Sequence, residues 1–165
     1  MKTIVYSFLI VLSFSCTSKP SASSKGSTTP SEAEVSGNLV ADTIIYDVVI
    51  RSTNPDNIWE NERLQYLNHT ALIDSLFDLV YNKEIIAFDV FENKALSISQ
   101  VKSLEKRADY ARDRIGKIQF TEKWYFNSNN PQLQKEIISV ALGYETYNEQ
   151  GEVRAYKPVF KLYLN

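Results

Sequence analysis

Ile118-Gln119-Phe120-Thr121-Glu122-Lys123-Trp124-Tyr125-Phe126 decides the fold. The apolar side chains Ile118, Phe120, Trp124 and Phe126 stand at alternate positions, and Glu122 interrupts the row. A period of two belongs to a strand, which turns one face to a core and the other to water. The same period returns at Ile138, Val140, Leu142 and Tyr144, and again at Phe160, Leu162 and Leu164. Between those two rows, Asn148-Glu149-Gln150-Gly151 reads as a hairpin turn. Three strands joined this way make an antiparallel meander. Pro158 has no N–H to give to a central ladder, so it predicts an edge or a bulge at that point.

Upstream the period changes to 3.6. Ser97-x-x-Gln100 is a capping box, in which each side chain satisfies a backbone donor of the other residue. Val101, Leu104, Ala108, Ala111 and Ile115 follow as one apolar stripe, and Gly116 is placed to end the helix. The opposite face carries Lys102, Lys106, Arg107, Asp109, Arg112 and Asp113, the mixed charges of a solvated surface. An earlier helix is expected to start at a Thr70 cap, carry Leu72, Ile73, Leu76, Phe77, Leu79 and Val80, and stop at Asn82-Lys83. Before it, Asp56 is expected to cap a helix bearing Ile58, Trp59, Arg63, Leu64 and Leu67. Residues 85–91 read as a short strand with Phe88 and Val90 on one side. Residues 43–50 fit either a strand or a helix, because Ile44, Ile45, Val48 and Val49 satisfy both spacings. The expected architecture is one α+β domain over residues 42–165, with three helices packed on a C-terminal antiparallel meander.

The first forty residues differ in kind. Residues 1–15 pair Lys2 with a short apolar run and small residues at its end, the pattern of a secretory signal. The run is shorter than the roughly 20 residues a bilayer requires. Cys16 follows, and it is the one cysteine of the chain. Leu12-Ser13-Phe14-Ser15-Cys16 resembles the lipobox of bacterial lipoproteins, with Leu one position further from Cys than the usual pattern. Acylation of Cys16 is the expected anchor; the alternative is cleavage nearby that leaves an incidental thiol. Of the 25 residues from 17 to 41, ten are Ser or Thr and none is aromatic. Such a segment buries too little to offset the entropy of ordering, so residues 16–41 are expected to form a lipidated cysteine on a disordered tether spanning roughly 25–30 Å.

Composition narrows the chemistry. A formal charge of −2 over 165 residues, with Lys and Arg scattered among acids, argues against generic nucleic-acid binding. His69 is the single histidine, so a histidine-based zinc site is not expected. The five glycines are widely spaced and make no phosphate loop. Glu122 and Asp89 lie in apolar surroundings and are the one conceivable carboxylate pair for hydrolysis. Each also reads as a solvated or ion-paired side chain, and no enzymatic role is expected. Trp124-Tyr125-Phe126 puts aromatic surface on both faces of a strand: one suits a core, the other either an interface or a second covering layer.

Glu122-Lys123-Trp124-Tyr125-Phe126-Asn127, followed by Arg154-Ala155-Tyr156-Lys157-Pro158-Val159-Phe160-Lys161-Leu162-Tyr163, resembles the C-terminal signature of the GldN/PorN family. That family supplies periplasmic components of type IX secretion and gliding machinery. Upstream, Leu76-Phe77-Asp78-Leu79-Val80, Ile85-Ile86-Ala87-Phe88-Asp89, Ser97-Ile98-Ser99-Gln100-Val101, and Ile50-Arg51 with Asp56 and Trp59 are similar to further family blocks in the same order. The resemblance covers about residues 44–163. Ala155 stands where the family has Gly, and Asn127 where it has an acid. The Pro- and Tyr-rich segment after the first helix is replaced by Asn68-His69-Thr70, and the chain is shorter than usual members, which lack a lipid anchor.

The resemblance implies a non-catalytic component of the cell envelope, working by protein–protein contact beside other envelope proteins, a ring-forming lipoprotein among them. With the lipid on Cys16 it would face the periplasm at the outer membrane and touch the membrane through the lipid alone. The expected contact residues are Trp124, Tyr125, Arg154, Tyr156 and Lys157, with no cofactor, metal or nucleic acid. A small ligand pocket between helices and sheet is the alternative reading.

Overall fold

A computed structural model describes residues 37–164. The signal segment, Cys16 and the tether up to residue 36 lie outside the described residues. Strand β1, Asn38–Val49, comes first. It resolves the open choice at residues 43–50 in favour of a strand, and it begins within the segment assigned to the tether. Helices α1 (Ile58–Leu64) and α2 (His69–Tyr81) follow, then the two-residue strands β2 (Ala87–Phe88) and β3 (Ala95–Leu96). Helix α3 spans Ile98–Glu105, and β4 (Ile115–Asn127), β5 (Gln132–Tyr147) and β6 (Val153–Tyr163) complete an α+β fold. All six strands join one antiparallel sheet in the order β1-β4-β5-β6-β2-β3. The meander β4-β5-β6 is therefore flanked by β1 on one side and the β2–β3 hairpin on the other.

The core lies on one face of this sheet. Ile118, Val140, Leu142, Phe160 and Leu162 are buried there with Ile73, Phe77 and Val80 of α2. Phe77 meets Phe160 edge-on, with ring centroids 4.9 Å apart. Helix α3 contributes the buried Val101 and α1 contributes no buried residue. Ile58 and Trp59, expected on the inner face of α1, are exposed instead, Trp59 at 78%. Leu67, just beyond the helix, packs on the core in their place.

The helix caps are one or two residues away from their expected positions. Asn57, not Asp56, accepts from the Glu60 N–H at 3.2 Å, and Asn68, not Thr70, accepts from Ala71 N–H at 3.0 Å. Asn reaches an orphan N–H three residues on as well as Asp or Thr does. The Ser97–Gln100 capping box forms as expected. Asn82 ends α2, and Lys83 takes a left-handed φ of +64°.

The largest departure is at α3. The stripe from Val101 to Ile115 predicts a helix of some four turns, but the helix ends at Glu105. A single 3₁₀ turn, Arg112–Arg114, leads directly into β4, so Gly116 is a strand residue and caps nothing. Gly116 is there for space. A Cβ built on it would lie 2.7 Å from both Cγ and Cδ of Glu145, whose side chain has no exposed surface.

Pro158 behaves as the sequence predicts. The β5–β6 register shifts between Ala141 and Gly143, the partner of Pro158, and β2 reaches β6 only at Lys161 and Leu162. Pro158 thus stands at a bulge and on a free edge together. Gly151 at φ +80° closes the expected hairpin turn. At the other edge, β1 slips register between Ala41 and Ile44, where Thr43 is held at φ +61°, an uncommon value for a β-branched residue.

Gly116→Ala is expected to lower the unfolding free energy by about 1–3 kcal/mol or more, because the methyl group must displace a buried carboxylate. Urea denaturation measures this. An unchanged midpoint would mean that Glu145 is not held against Gly116.

Candidate functional site

The five expected contact residues fall into two groups. Trp124 and Tyr125 pair with Lys135 and Gln134 of β5, whereas Tyr156 and Lys157 pair with Glu145 and Tyr144. Ten residues of β5 separate the groups, roughly 30 Å at the strand rise.

Trp124 and Tyr125 lie on a three-stranded arm. Here β4 residues 122–127 pair with β1 on one side and with β5 residues 132–137 on the other, while β6 begins to pair only at Ser139. Glu122, expected to face water or a nearby cation, is 3% exposed. It accepts from Tyr46 Oη at 2.6 Å and from Trp124 Nε1 at 2.9 Å, and Lys135 Nζ stands 3.5 Å away. Burial pushes the Glu122 carboxyl up. The bonds from Tyr46 and Trp124 and the charge of Lys135 more than offset this, leaving it below its usual value. Lys135 also lies 4.6 Å from the centroid of Trp124, so the indole is held between a carboxylate on its N–H and a cation on its face. Trp124 is thereby fixed as a rigid, half-exposed plate.

Apolar side chains surround that plate. Phe126 and Leu133 stand opposite each other on β4 and β5 and are 40% and 52% exposed. Ile137, opposite Glu122, is also exposed. On the other face of β4, Tyr125 donates from its hydroxyl to Glu136 at 2.8 Å and stands opposite the exposed Leu39. Val40 is exposed beside it. Leu39 and Val40 escaped the sequence reading because Ser and Thr dominate the preceding segment. Their adjacency to the apolar run at Ile44 and Ile45 was the available signal.

The second group sits near a buried ion pair. Glu145 accepts from Arg51 Nη1 at 2.5 Å and from the Tyr147 hydroxyl. Arg114 Nη2 donates to the Glu145 carbonyl at 3.0 Å, and its guanidinium lies 4.8 and 4.7 Å from the ring centroids of Tyr144 and Tyr147. Tyr156, opposite Glu145, is half-buried, with Lys117 Nζ 4.9 Å from its ring centroid. Burial and then the charges of Glu145 and Glu60 push its phenol up. Arg154 and Lys157 are exposed, on the part of β6 that has no strand beside it.

The residues weighed for catalysis are engaged elsewhere. His69 Nε2 donates to the Ile115 carbonyl at 2.6 Å, pinning the start of α2 to the start of β4. Asp89 Oδ1 accepts from the N–H groups of Phe91 and Glu92 in the β2–β3 turn. The Asp89 and Glu122 carboxyls thus belong to separate local networks. Among the described residues no group of three or more His, Cys, Asp or Glu is arranged to hold a metal ion, and no helix is long and apolar enough to cross a membrane.

Compared with protein-family models and with curated proteins, the chain finds no match in either.

Glu122 has a lowered value when folded, so its contribution to stability is complete above the unfolded carboxylate value of 4.5 and is lost as pH falls through the folded value. Glu122→Gln is expected to cost about 1–3 kcal/mol at pH 7 and to flatten the acid limb below about pH 4.5. Thermal unfolding at pH 7 and pH 3.5 checks it. An acid limb as steep as that of the unaltered protein would place the titrating group elsewhere.

Proposed function

We propose that this chain is a non-catalytic lipoprotein of the cell envelope that acts by protein–protein contact through the three-stranded arm. The observation that carries this reading is the row of exposed apolar side chains on one face of the arm, Phe126, Leu133 and Ile137, beside the half-exposed Trp124, with Leu39 exposed next to Tyr125 on the opposite face. An exposed apolar row around an aromatic plate, with charged side chains beside it, is the composition of an interface core. In this reading α2 and α3 back the C-terminal meander as a scaffold, and the arm projects beyond it. The Cys16 lipid, buried in the outer membrane, holds the periplasm-facing domain near its partners. The resemblance to the GldN/PorN family supports a partner within the type IX secretion and gliding machinery, as an accessory or structural component.

A second reading, binding of a small ligand, is favoured by a hollow of about 340 Å³ between α3 and β6, where Asp89, Gln100, Ser103 and Arg107 converge.

The tagged protein, extracted from envelopes in mild detergent, is expected to run as a large assembly containing envelope lipoproteins detectable by mass spectrometry. Leu133→Asp and Phe126→Gln are each expected to abolish co-purification while shifting Tm by no more than about 4 °C, since both side chains are exposed. A monomer with no co-purifying protein would overturn the contact reading and bring the ligand reading forward.

A further inference from the structure

The sheet face opposite the core carries a hollow of about 270 Å³. Its floor is Ala141 and Gly143 of β5, which pair with Gln119 and Lys117 of β4; Gly143 also pairs with Pro158 of β6. The glycine keeps that floor low, because a Cβ there would stand 3.3 Å from the Cβ atoms of both Lys117 and Tyr156. Lys117 and Gln119 wall the hollow on the β4 side, and Phe91, in the turn after β2, walls it beyond β6. Phe91 is 82% exposed, yet its backbone is fixed: its N–H and that of Glu92 donate to Asp89 Oδ1 at 2.9 and 2.7 Å, and Tyr163 Oη donates to Asn93 Oδ1 at 2.8 Å. An exposed ring is ordinary by itself. A ring held beside a hollow with a polar opposite wall makes an amphipathic site.

The polar wall is a linked trio. Asp47 of β1 accepts from Lys117 Nζ at 2.7 Å and from Gln119 Nε2 at 2.9 Å, and both Asp47 and Gln119 are exposed. The bonds from Lys117 and then Gln119 hold the Asp47 carboxyl below its usual value, so at neutral pH it is an acceptor. An ammonium only donates, an ionised carboxylate only accepts, and an amide does both. The trio therefore offers donors and acceptors side by side while its charges cancel, which suits a neutral ligand whose groups each donate and accept. Hydroxyls have that property. A pyranose ring joins a rim of hydroxyls to a face of C–H groups that can lie on an aromatic ring. The volume is just below the roughly 300 Å³ at which pockets for larger ligands begin, so it accommodates one such ring.

We propose that this hollow binds a saccharide through one pyranose ring, free or within a glycan chain. The C–H face of the sugar lies on Phe91, and its hydroxyls bond to Lys117, Asp47 and Gln119. The hollow uses no residue of the arm, so it stands whether or not the arm binds a partner.

The test is saturation-transfer NMR on the full-length protein, in a detergent whose headgroup contains no sugar. The probes are the methyl glycosides of glucose, galactose, mannose and N-acetylglucosamine, with sorbitol and cyclohexanol as controls. At least one glycoside is expected to bind saturably, with the strongest transfer to the C–H groups of one ring face. Sorbitol, which has hydroxyls and no ring, and cyclohexanol, a ring with one hydroxyl, are each expected to bind about ten-fold or more weakly. Phe91→Ala is expected to weaken the best glycoside about ten-fold, and Gln119→Ala about five-fold, the loss of one hydrogen bond. Both positions are exposed, so neither variant is expected to move Tm by more than about 4 °C. A trisaccharide of the best sugar that binds more tightly than its glycoside identifies a glycan chain as the source, and one that binds no better identifies a free sugar. Absence of saturable binding by every glycoside, sorbitol or cyclohexanol binding as tightly as the best of them, or binding indifferent to Phe91→Ala would each overturn the proposal.

Discussion

Glu145 sits where the three longest segments of the sheet converge, and its burial constrains all of them. Its side chain has no exposed surface and presses on Gly116 at the start of β4. Arg51, just past the end of β1, reaches it, and the neighbouring Ile50 N–H donates to the Gly116 carbonyl at 2.9 Å. A buried carboxylate without a cation would be strongly destabilising, so Arg51 must stay within reach and the register of β1 on β4 is held with it. Glycine is required at position 116 because a side chain would displace that carboxylate. Breaking such a pair by removing one partner typically costs about 3–5 kcal/mol, far more than an exposed ion pair contributes.

The same constraint explains why α3 is short. Residues 106–114 contain good helix formers, and nothing local stops a helix there. Continuing it would take Ile115 and Gly116 out of β4, exposing Glu145 and unpairing the first strand residues. The chain instead turns, and the turn makes its own contacts. Tyr110 stacks on Tyr144, and Arg112 ion-pairs with Glu105 and Asp74 while lying 4.2 Å from the Phe77 ring centroid. Burial opposes charge at Arg112, but its bonds to Glu105 and Asp74 prevail and its value is raised. This network joins α2, α3 and the entry to β4 in place of the missing helical turns.

At the opposite end, the buried core thins out before the strands do. The buried residues of β4 reach Glu122 and those of β5 begin at Ser139, while both strands continue for several more residues toward their connecting turn. Phe126, Leu133 and Ile137 are strand-like in sequence and apolar in character, yet exposed. Exposed alternating apolar residues at a sheet end invite association. The buried Glu122 cluster below them keeps this end ordered, so the surface is presented in a fixed shape and loses little entropy on contact.

By itself the sequence determined the features that rest on local chemistry. The capping box at Ser97 and Gln100, the hairpin closed by Gly151, the period-two rows of β4 to β6 and the edge-and-bulge position of Pro158 all follow from neighbouring residues and their backbone preferences. The caps missed by a residue or two, at Asn57 and Asn68, belong to the same local class, where several side chains compete for one N–H. Tertiary structure decided what depends on distant partners. The stripe through Ala108 and Ala111 is helical by period, but Glu145, some thirty residues away in sequence, claims Gly116 for a strand. Residues 38–41 join a Ser- and Thr-rich segment in sequence, yet β4 supplies a ladder that makes them a strand. Trp124 and Tyr156, both named as contact residues, sit at opposite ends of the sheet because antiparallel pairing sets their distance. Periodicity records which face a side chain takes; only long-range pairing determines which element offers that face and how far it extends.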